Sequence, residues 1–301
     1  MADDDDTRRE PKFSKRTLDI IETSLAIEAQ EAIEAGALGY MARALVQATM
    51  PHSKPDATTS FMRENGAFSM ALLAHPKVGL PYGSIPRLLV AFLTTQAVRT
   101  KQREIALGGS LSEFMAHLKE VPTGGRWGSI RRVRDQTTRL FASSIACTYT
   151  AGADGVEFDE GMNLAVADTY KLWWMPQAPE QLTLFESYVR LGERFYDEVT
   201  QRPVPVDLRA LRVLKKSPMA LDIYCWLTYR LSYLRAPTVI PWGALQMQFG
   251  ANYKLTRQFS AAFQKHLRAV LAIYPHAHAV PMTDGLELRP SPTHVRRLAR
   301  S

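Results

Sequence analysis

Glutamate is missing from the entire stretch between Val206 and Tyr274. That stretch carries ten lysines and arginines, namely Arg209, Arg212, Lys215, Lys216, Arg230, Arg235, Lys254, Arg257, Lys265 and Arg268. Only Asp207 and Asp222 oppose them, so ten positive charges less two negative give +8. The whole 301-residue chain is +7, which leaves −1 for all the other residues together. Positive charge is therefore concentrated in one segment that also has a dense apolar pattern. A folded module of that kind suits a polyanion, with nucleic acid as the first candidate. The competing reading is a merely basic surface.

Other scarcities exclude function classes. Cysteine occurs only as Cys147 and Cys225, each among apolar neighbours. Two thiols cannot build a metal cluster alone, and both read as buried and reduced, as in a cytosolic protein. No apolar run approaches the roughly 18 residues needed to cross a bilayer. The longest candidate, Met219 to Leu231, is broken by Asp222 and Arg230. The opening Met1-Ala2-Asp3-Asp4-Asp5-Asp6 has neither the basic nor the apolar region of a signal peptide. A soluble, cytoplasmic protein without membrane partners is expected. No G-x-x-x-x-G-K-[ST] occurs, which argues against a P-loop ATPase or helicase.

Two motifs invite an enzymatic reading. His276-Ala277-His278 has the His-hydrophobe-His form that holds a metal in origin-nicking enzymes. Such an enzyme also needs a tyrosine nucleophile, typically downstream, and no tyrosine follows Tyr274. The pair reads better as a wing contact or a solvated strand. Asp154, Glu157, Asp159 and Glu160 flank Gly152, Gly155 and Gly161, which reads as a solvent-facing turn rather than a cation site. The expectation is no enzyme, no cofactor and no metal.

At 46% hydrophobic and 22% charged the composition is ordinary globular material, long enough for two domains. Residues 1 to about 16 read as charged and disordered. Thr17 to Gln47 reads as helix, with Leu18, Ile21, Leu25, Ile33, Ala37, Met41 and Leu45 as its apolar positions and Gly36 and Gly39 as interruptions. Met50 to Gly66 is loop-like, and Ala67 to Tyr82 is ambiguous.

Two segments then share an order of elements. In the first, Pro86 sits at a helix start and a strand-like run spans Arg103 to Leu107. Ser110 and Glu113 have the spacing of a capping box. A longer helix runs from Trp127 to about Ser144, and strands follow at Ile145 to Tyr149 and Val156 to Leu172. In the second, Ser217-Pro218 starts a helix over Met219 to Leu234 that is apolar nearly all round. Ile240-Pro241-Trp242 opens a short helix ending near Gly250. A third helix runs from about Thr256 to Tyr274, and a hairpin turns at Asp284-Gly285. Helix, short helix, longer helix and hairpin is the order of a winged helix-turn-helix. The expected fold is mainly α with small β-sheets (α+β), two tandem winged helix-turn-helix domains after a helical, partly disordered N-terminal segment. The expected divisions are 1–74 for that segment, 75–180 for the first winged-helix domain, 181–205 for a packed connector and 206–301 for the second winged-helix domain.

The third helix of each unit is the one that should enter a major groove. At 100° per residue, Phe259, Phe263, Leu267 and Val270 share one face of the second such helix. Arg257, Gln258, Ala261, Gln264, Lys265 and Arg268 share the other. Arg and Gln match the edges of guanine and adenine, and Ala261 is small enough for close approach. Asn252 and Lys254 precede the helix and could hold phosphate at its N-terminus. In the first unit, Arg131, Arg132, Gln136 and Arg139 lie opposite Ile130, Val133, Thr137, Leu140 and Phe141. Arg134 lies on the shoulder, Arg126 stands at the start, and only Asp135 opposes them. This helix reads equally as a phosphate contact or as a subunit or domain interface.

Several runs are similar to a known family. Pro205-Val206-Asp207-Leu208-Arg209-Ala210-Leu211, the stretch from Leu214 to Arg230 (LKKSPMALDIYCWLTYR), Ile240-Pro241-Trp242 and Gln248-Phe249-Gly250-Ala251 resemble the plasmid-encoded RepA family of replication initiators. So do the stretch from Val121 to Gly128, Arg134-Asp135-Gln136 and Leu172-Trp173-Trp174. The resemblance covers about residues 75 to 291. It implies an iteron-binding initiator with tandem winged-helix domains, which binds direct repeats at a plasmid origin and helps open adjacent AT-rich DNA. It also implies recruitment of the host replication initiator and replicative helicase, and repression of its own promoter. A homodimer in equilibrium with a monomer follows from the same resemblance. It implies no catalytic residue. A transcription repressor built on the same modules is the alternative.

Overall fold

Ser217 and Pro218 start the central helix of the molecule. The Ser217 hydroxyl accepts from the Ala220 N–H at 3.2 Å, and proline occupies the first turn, where its missing N–H costs nothing. In the computed structural model, which describes residues 14–56, 59–125, 128–153, 156–175, 177–183, 185–250 and 253–295, this helix is buried nearly all round.

The elements in chain order begin with α1 (Lys15–Ala29), β1 (Leu38–Met41), α2 (Arg43–Gln47), β2 (Ser60–Asn65) and β3 (Phe68–Ala74). Next come α3 (Ser84–Thr100), β4 (Glu104–Gly108), α4 (Leu111–His117), α5 (Ser129–Phe141), β5 (Ser143–Ala153), β6 (Val156–Ala165) and β7 (Ala167–Lys171). Then follow β8 (Ser187–Leu191), α6 (Glu193–Gln201), β9 (Val204–Asp207), α7 (Leu208–Leu214) and the central helix α8 (Pro218–Leu231). The last elements are β10 (Thr238–Pro241), α9 (Trp242–Phe249), α10 (Thr256–Leu271), β11 (Ala279–Pro281) and β12 (Gly285–Leu288). Among the described residues, four antiparallel sheets have the strand orders β1-β9, β2-β3-β5-β6, β4-β8-β7 and β10-β12-β11. The molecule is thus mixed α and β, with more strand than a mainly α reading expects.

The second unit follows its expected order with one addition. β10 forms between α8 and α9 and pairs with β12, the returning strand of the hairpin. In the first unit α3, β4, α4 and α5 follow in the expected order, and the Ser110 cap is formed. Its hydroxyl accepts from Glu113 N at 3.2 Å, while Glu113 reaches back to Gly109 N at 2.8 Å. The hairpin differs. The single strand expected over Val156 to Leu172 breaks at buried Val166. Its first part, β6, joins β5, β3 and β2, and its second part, β7, joins β8 and β4.

The N-terminal segment also differs from the expected single helix. α1 starts at Lys15, inside the stretch expected to be disordered, and ends at Ala29. Leu18, Ile21 and Leu25 are exposed, while Ile20 and Ile27 pack on the core. Gly36 turns the chain at φ 63°, and β1 pairs with β9. Gly39 permits that pairing, because a Cβ there would lie 2.3 Å from Leu208 Cδ2. Met50 to Gly66, expected as loop, contains β2. β3 pairs with β5, so one sheet joins residues on both sides of position 74/75.

A buried ion pair ties these parts together. Arg87 on α3 meets Asp222 on α8 through Nε to Oδ1 at 2.7 Å and Nη2 to Oδ2 at 2.6 Å. The same guanidinium donates to the carbonyls of Met50, Pro51 and Gly83, and His52 Nε2 lies 2.8 Å from Asp222 Oδ2. Burial pushes the Asp222 carboxyl up, but Arg87 and His52 overcome this and hold it below the usual carboxylate range.

Candidate nucleic-acid interface

An aromatic cluster seats α10. Phe263 makes edge-on contacts with Trp242 and Phe249, at centroid distances of 5.9 Å and 5.4 Å, and Phe259 packs between Tyr253 and Phe263. Trp226 of α8 adds an edge contact to Phe249. Phe259, Phe263, Leu267 and Val270 are all buried, as their spacing predicts. Gly250 allows the close approach of α9 and α10, because a Cβ there would stand 2.6 Å from Phe259 Cδ2. Gln246 fixes the start of the helix, donating to Tyr253 O at 2.8 Å and accepting from the Thr256 hydroxyl at 2.7 Å. His266 reaches Ser217 at 3.0 Å and so binds α10 to the start of α8.

The opposite face of α10 is open. Arg257, Gln258, Ala261, Lys265 and Arg268 are exposed and Gln264 is half-buried. Lys254 is exposed just before the helix, whose first turn has no side-chain cap. Unpaired N–H groups at such an end carry partial positive charge. Asn252 lies outside the described residues. α10 contains no acidic residue, and none of Lys254, Arg257, Lys265 and Arg268 has a carboxylate partner among the described residues. Burial lowers the pKa of His266, and the charges of Arg16 and Lys265 lower it further.

Both carboxylates of the basic segment are taken up internally. Asp207 is buried, caps α7 through the Arg209 N–H and pairs with the Arg209 guanidinium at 2.7 Å. Asp222 is held by Arg87. Lys215 pairs with Glu120. Arg212, Lys216 and Arg235, which periodicity does not single out, are exposed and without a carboxylate partner among the described residues.

On α5 the expected set divides. Arg131, Arg132 and Arg134 are exposed. Arg139 is half-buried, pairs with Asp135 at 2.8 Å and donates to Leu80 O at 3.3 Å. Gln136, placed by periodicity on the polar face, is buried instead and accepts from Tyr82 N at 2.8 Å. Both turn inward because the 80–82 loop covers that side of the helix. Only the packing of a distant segment reveals it. Arg126 lies outside the described residues.

His276 and His278 are exposed, and both precede β11. Asp159 accepts from the Thr150 hydroxyl at 2.6 Å on the β5–β6 pair, Glu160 is exposed, and Asp154 lies outside the described residues. No helix among the described residues is long and apolar enough to cross a membrane.

Solved structures with a similar fold include two of RctB. A crystal structure of selenomethionine derivatives of domains 2 and 3 of RctB aligns with TM-score 0.52 at 10% identity, over 82% of this chain and 98% of that one. A second RctB structure, also of domains 2-3, aligns with TM-score 0.50 at 11% identity, over 81% and 93%. Among curated proteins none matches the chain. The family described as plasmid encoded RepA protein matches residues 80–243, more than half of the chain and a span from α3 through β10. The chain belongs to this family of plasmid-encoded RepA proteins.

Proposed function

We propose that the protein initiates plasmid replication by binding direct repeats at the origin, as a DNA-binding protein without catalytic activity of its own. The observation that carries this reading is α10. Its exposed face bears Arg257, Gln258, Gln264, Lys265 and Arg268 with no carboxylate, and an aromatic cluster holds it rigidly from behind. The order α8, β10, α9, α10 and the β11–β12 hairpin supports a winged helix-turn-helix in which α10 enters the major groove. Lys254 and the uncapped start of α10 suit a phosphate. Arg131, Arg132 and Arg134 on α5 suit a second, backbone contact. Membership of the RepA family favours an initiator over a plain repressor with the same modules.

In this reading bound protein promotes opening of adjacent AT-rich DNA and recruits the host initiator and replicative helicase. A homodimer in equilibrium with the monomer represses the protein's own promoter. Footprinting of the purified protein on its own plasmid tests the reading. Protected direct repeats, spaced about two helical turns apart beside an AT-rich tract, support it. Protection confined to one inverted repeat at a promoter would make the protein a repressor. Strand-specific nicking of supercoiled origin DNA, abolished by His276→Ala, would make it an enzyme.

A further inference from the structure

A second cationic concavity contains no residue of α10. A cavity of about 270 Å³ opens where α3, the end of α4 and α7 meet. Its floor is aliphatic and buried, built from Leu88, Ala91, Leu118 and Leu211. Its rim carries Arg99, Lys119 and Arg212, all exposed, and no aspartate or glutamate lines it. None of the three cations has a carboxylate partner among the described residues. Glu120, adjacent in sequence to Lys119, is taken by Lys215 at 3.0 Å.

The rim is held in place. Lys119 sits in the left-handed region at φ 56°, and its carbonyl accepts from Lys215 Nζ. Arg99 Nη2 donates to Leu38 O at 2.6 Å. The His117 ring stacks on Phe92 at 5.0 Å. Three cations around one apolar floor repel one another, and an anionic occupant relieves that repulsion.

Chemistry and size select the occupant. The Thr95 hydroxyl has no proton left to donate, since it donates to Ala91 O at 2.6 Å while accepting from Tyr40 N at 2.9 Å. The volume of about 270 Å³ admits an aliphatic side chain, and an aliphatic anchor flanked by carboxylates matches an apolar floor inside a cationic rim. We infer that this groove docks an acidic peptide segment of a partner protein. Its aliphatic side chain rests on Leu88, Leu118 and Leu211, and its carboxylates lie on Arg99, Lys119 and Arg212. Because α3 and α7 both line the groove, the occupant bridges the first unit and the start of the second.

The probe is a labelled synthetic peptide with a leucine pair flanked on each side by three glutamates, titrated into the full chain by fluorescence anisotropy. Saturable binding in the micromolar range is expected. Arg212→Glu and Lys119→Glu, both at exposed positions, should each weaken it about tenfold or more with an unchanged far-UV circular dichroism spectrum. Arg268→Ala on α10 should leave it unchanged. Methyl NMR signals of Ala91 and Leu211 should shift on binding. Absent saturation, equal binding of the same peptide with lysines for glutamates, or insensitivity to both reversals overturns the proposal. Saturable binding of adenosine monophosphate at the same residues in place of the peptide would also overturn it, in favour of an organic phosphate.

Discussion

Phe263 sits at the meeting point of Trp242, Phe249 and Phe259, fully buried beneath the exposed face of α10. Phe263→Ala should cost about 3–5 kcal/mol of folding stability, because the rings around the cavity cannot collapse into it. Urea denaturation followed by tryptophan fluorescence reads this directly. His294 makes stability depend on pH. Burial pushes the His294 imidazole down to about 4 from 6.5; it accepts from the Tyr224 hydroxyl at 2.7 Å, and its other nitrogen faces Ile273 O. Between those two values the unfolded chain binds a proton that the folded chain does not. Stability should therefore fall as pH drops from 6.5 towards 4. His52, whose pKa is lowered mainly by burial, acts in the same direction. Thermal midpoints across that window should slope less in His294→Asn than in the parent, and equal slopes would remove His294 from the account. The two faces of α10 were legible in the sequence because 3.6-residue periodicity fixes them locally. The positions of Gln136 and Arg139 were not, because the 80–82 loop covering them lies more than fifty residues upstream.

At the scale of elements, one glycine sets how α9 gives way to α10. Gly250 leaves room for Phe259 at the α9–α10 turn. Gly250→Ala should destabilise the protein by about 1–3 kcal/mol through overpacking, since a buried ring cannot swing clear. A shift in the urea midpoint checks it, and an unchanged midpoint would show that the turn is slack. The helices α3, α5, α8 and α10 follow from periodicity, and Ser217 caps α8 as Ser110 caps α4. The short strands do not. β10 has four residues and exists through pairing with β12, and β1 through pairing with β9, more than 160 residues away. No local pattern over Thr17 to Gln47 marks where α1 must stop, because the apolar spacing continues while the chain turns at Gly36 to reach Leu208.

Across the molecule as a whole, Arg87 and Asp222 form a buried pair that joins α3 to α8. Asp222→Ala leaves Arg87 charged and uncompensated and should cost about 3–5 kcal/mol. A chemical denaturation curve gives the value, and a loss below about 1 kcal/mol would mean that the main-chain carbonyls suffice to hold Arg87. Asp222 reads in sequence as a break in an apolar run, and nothing local marks it as the partner of Arg87. The basic excess of residues 206–274 was legible by counting, and the burial of both its carboxylates sharpens it. That α10 reads the origin repeat is tested by the binding isotherm of the full chain on one origin repeat at fixed salt, for the parent, Arg257→Ala and Arg268→Ala. A residue making a bidentate base contact should cost about 1–3 kcal/mol when removed, with folding unchanged and discrimination between the repeat and a scrambled duplex reduced. If both variants bind the repeat as tightly and as selectively as the parent, α10 is not the reading helix.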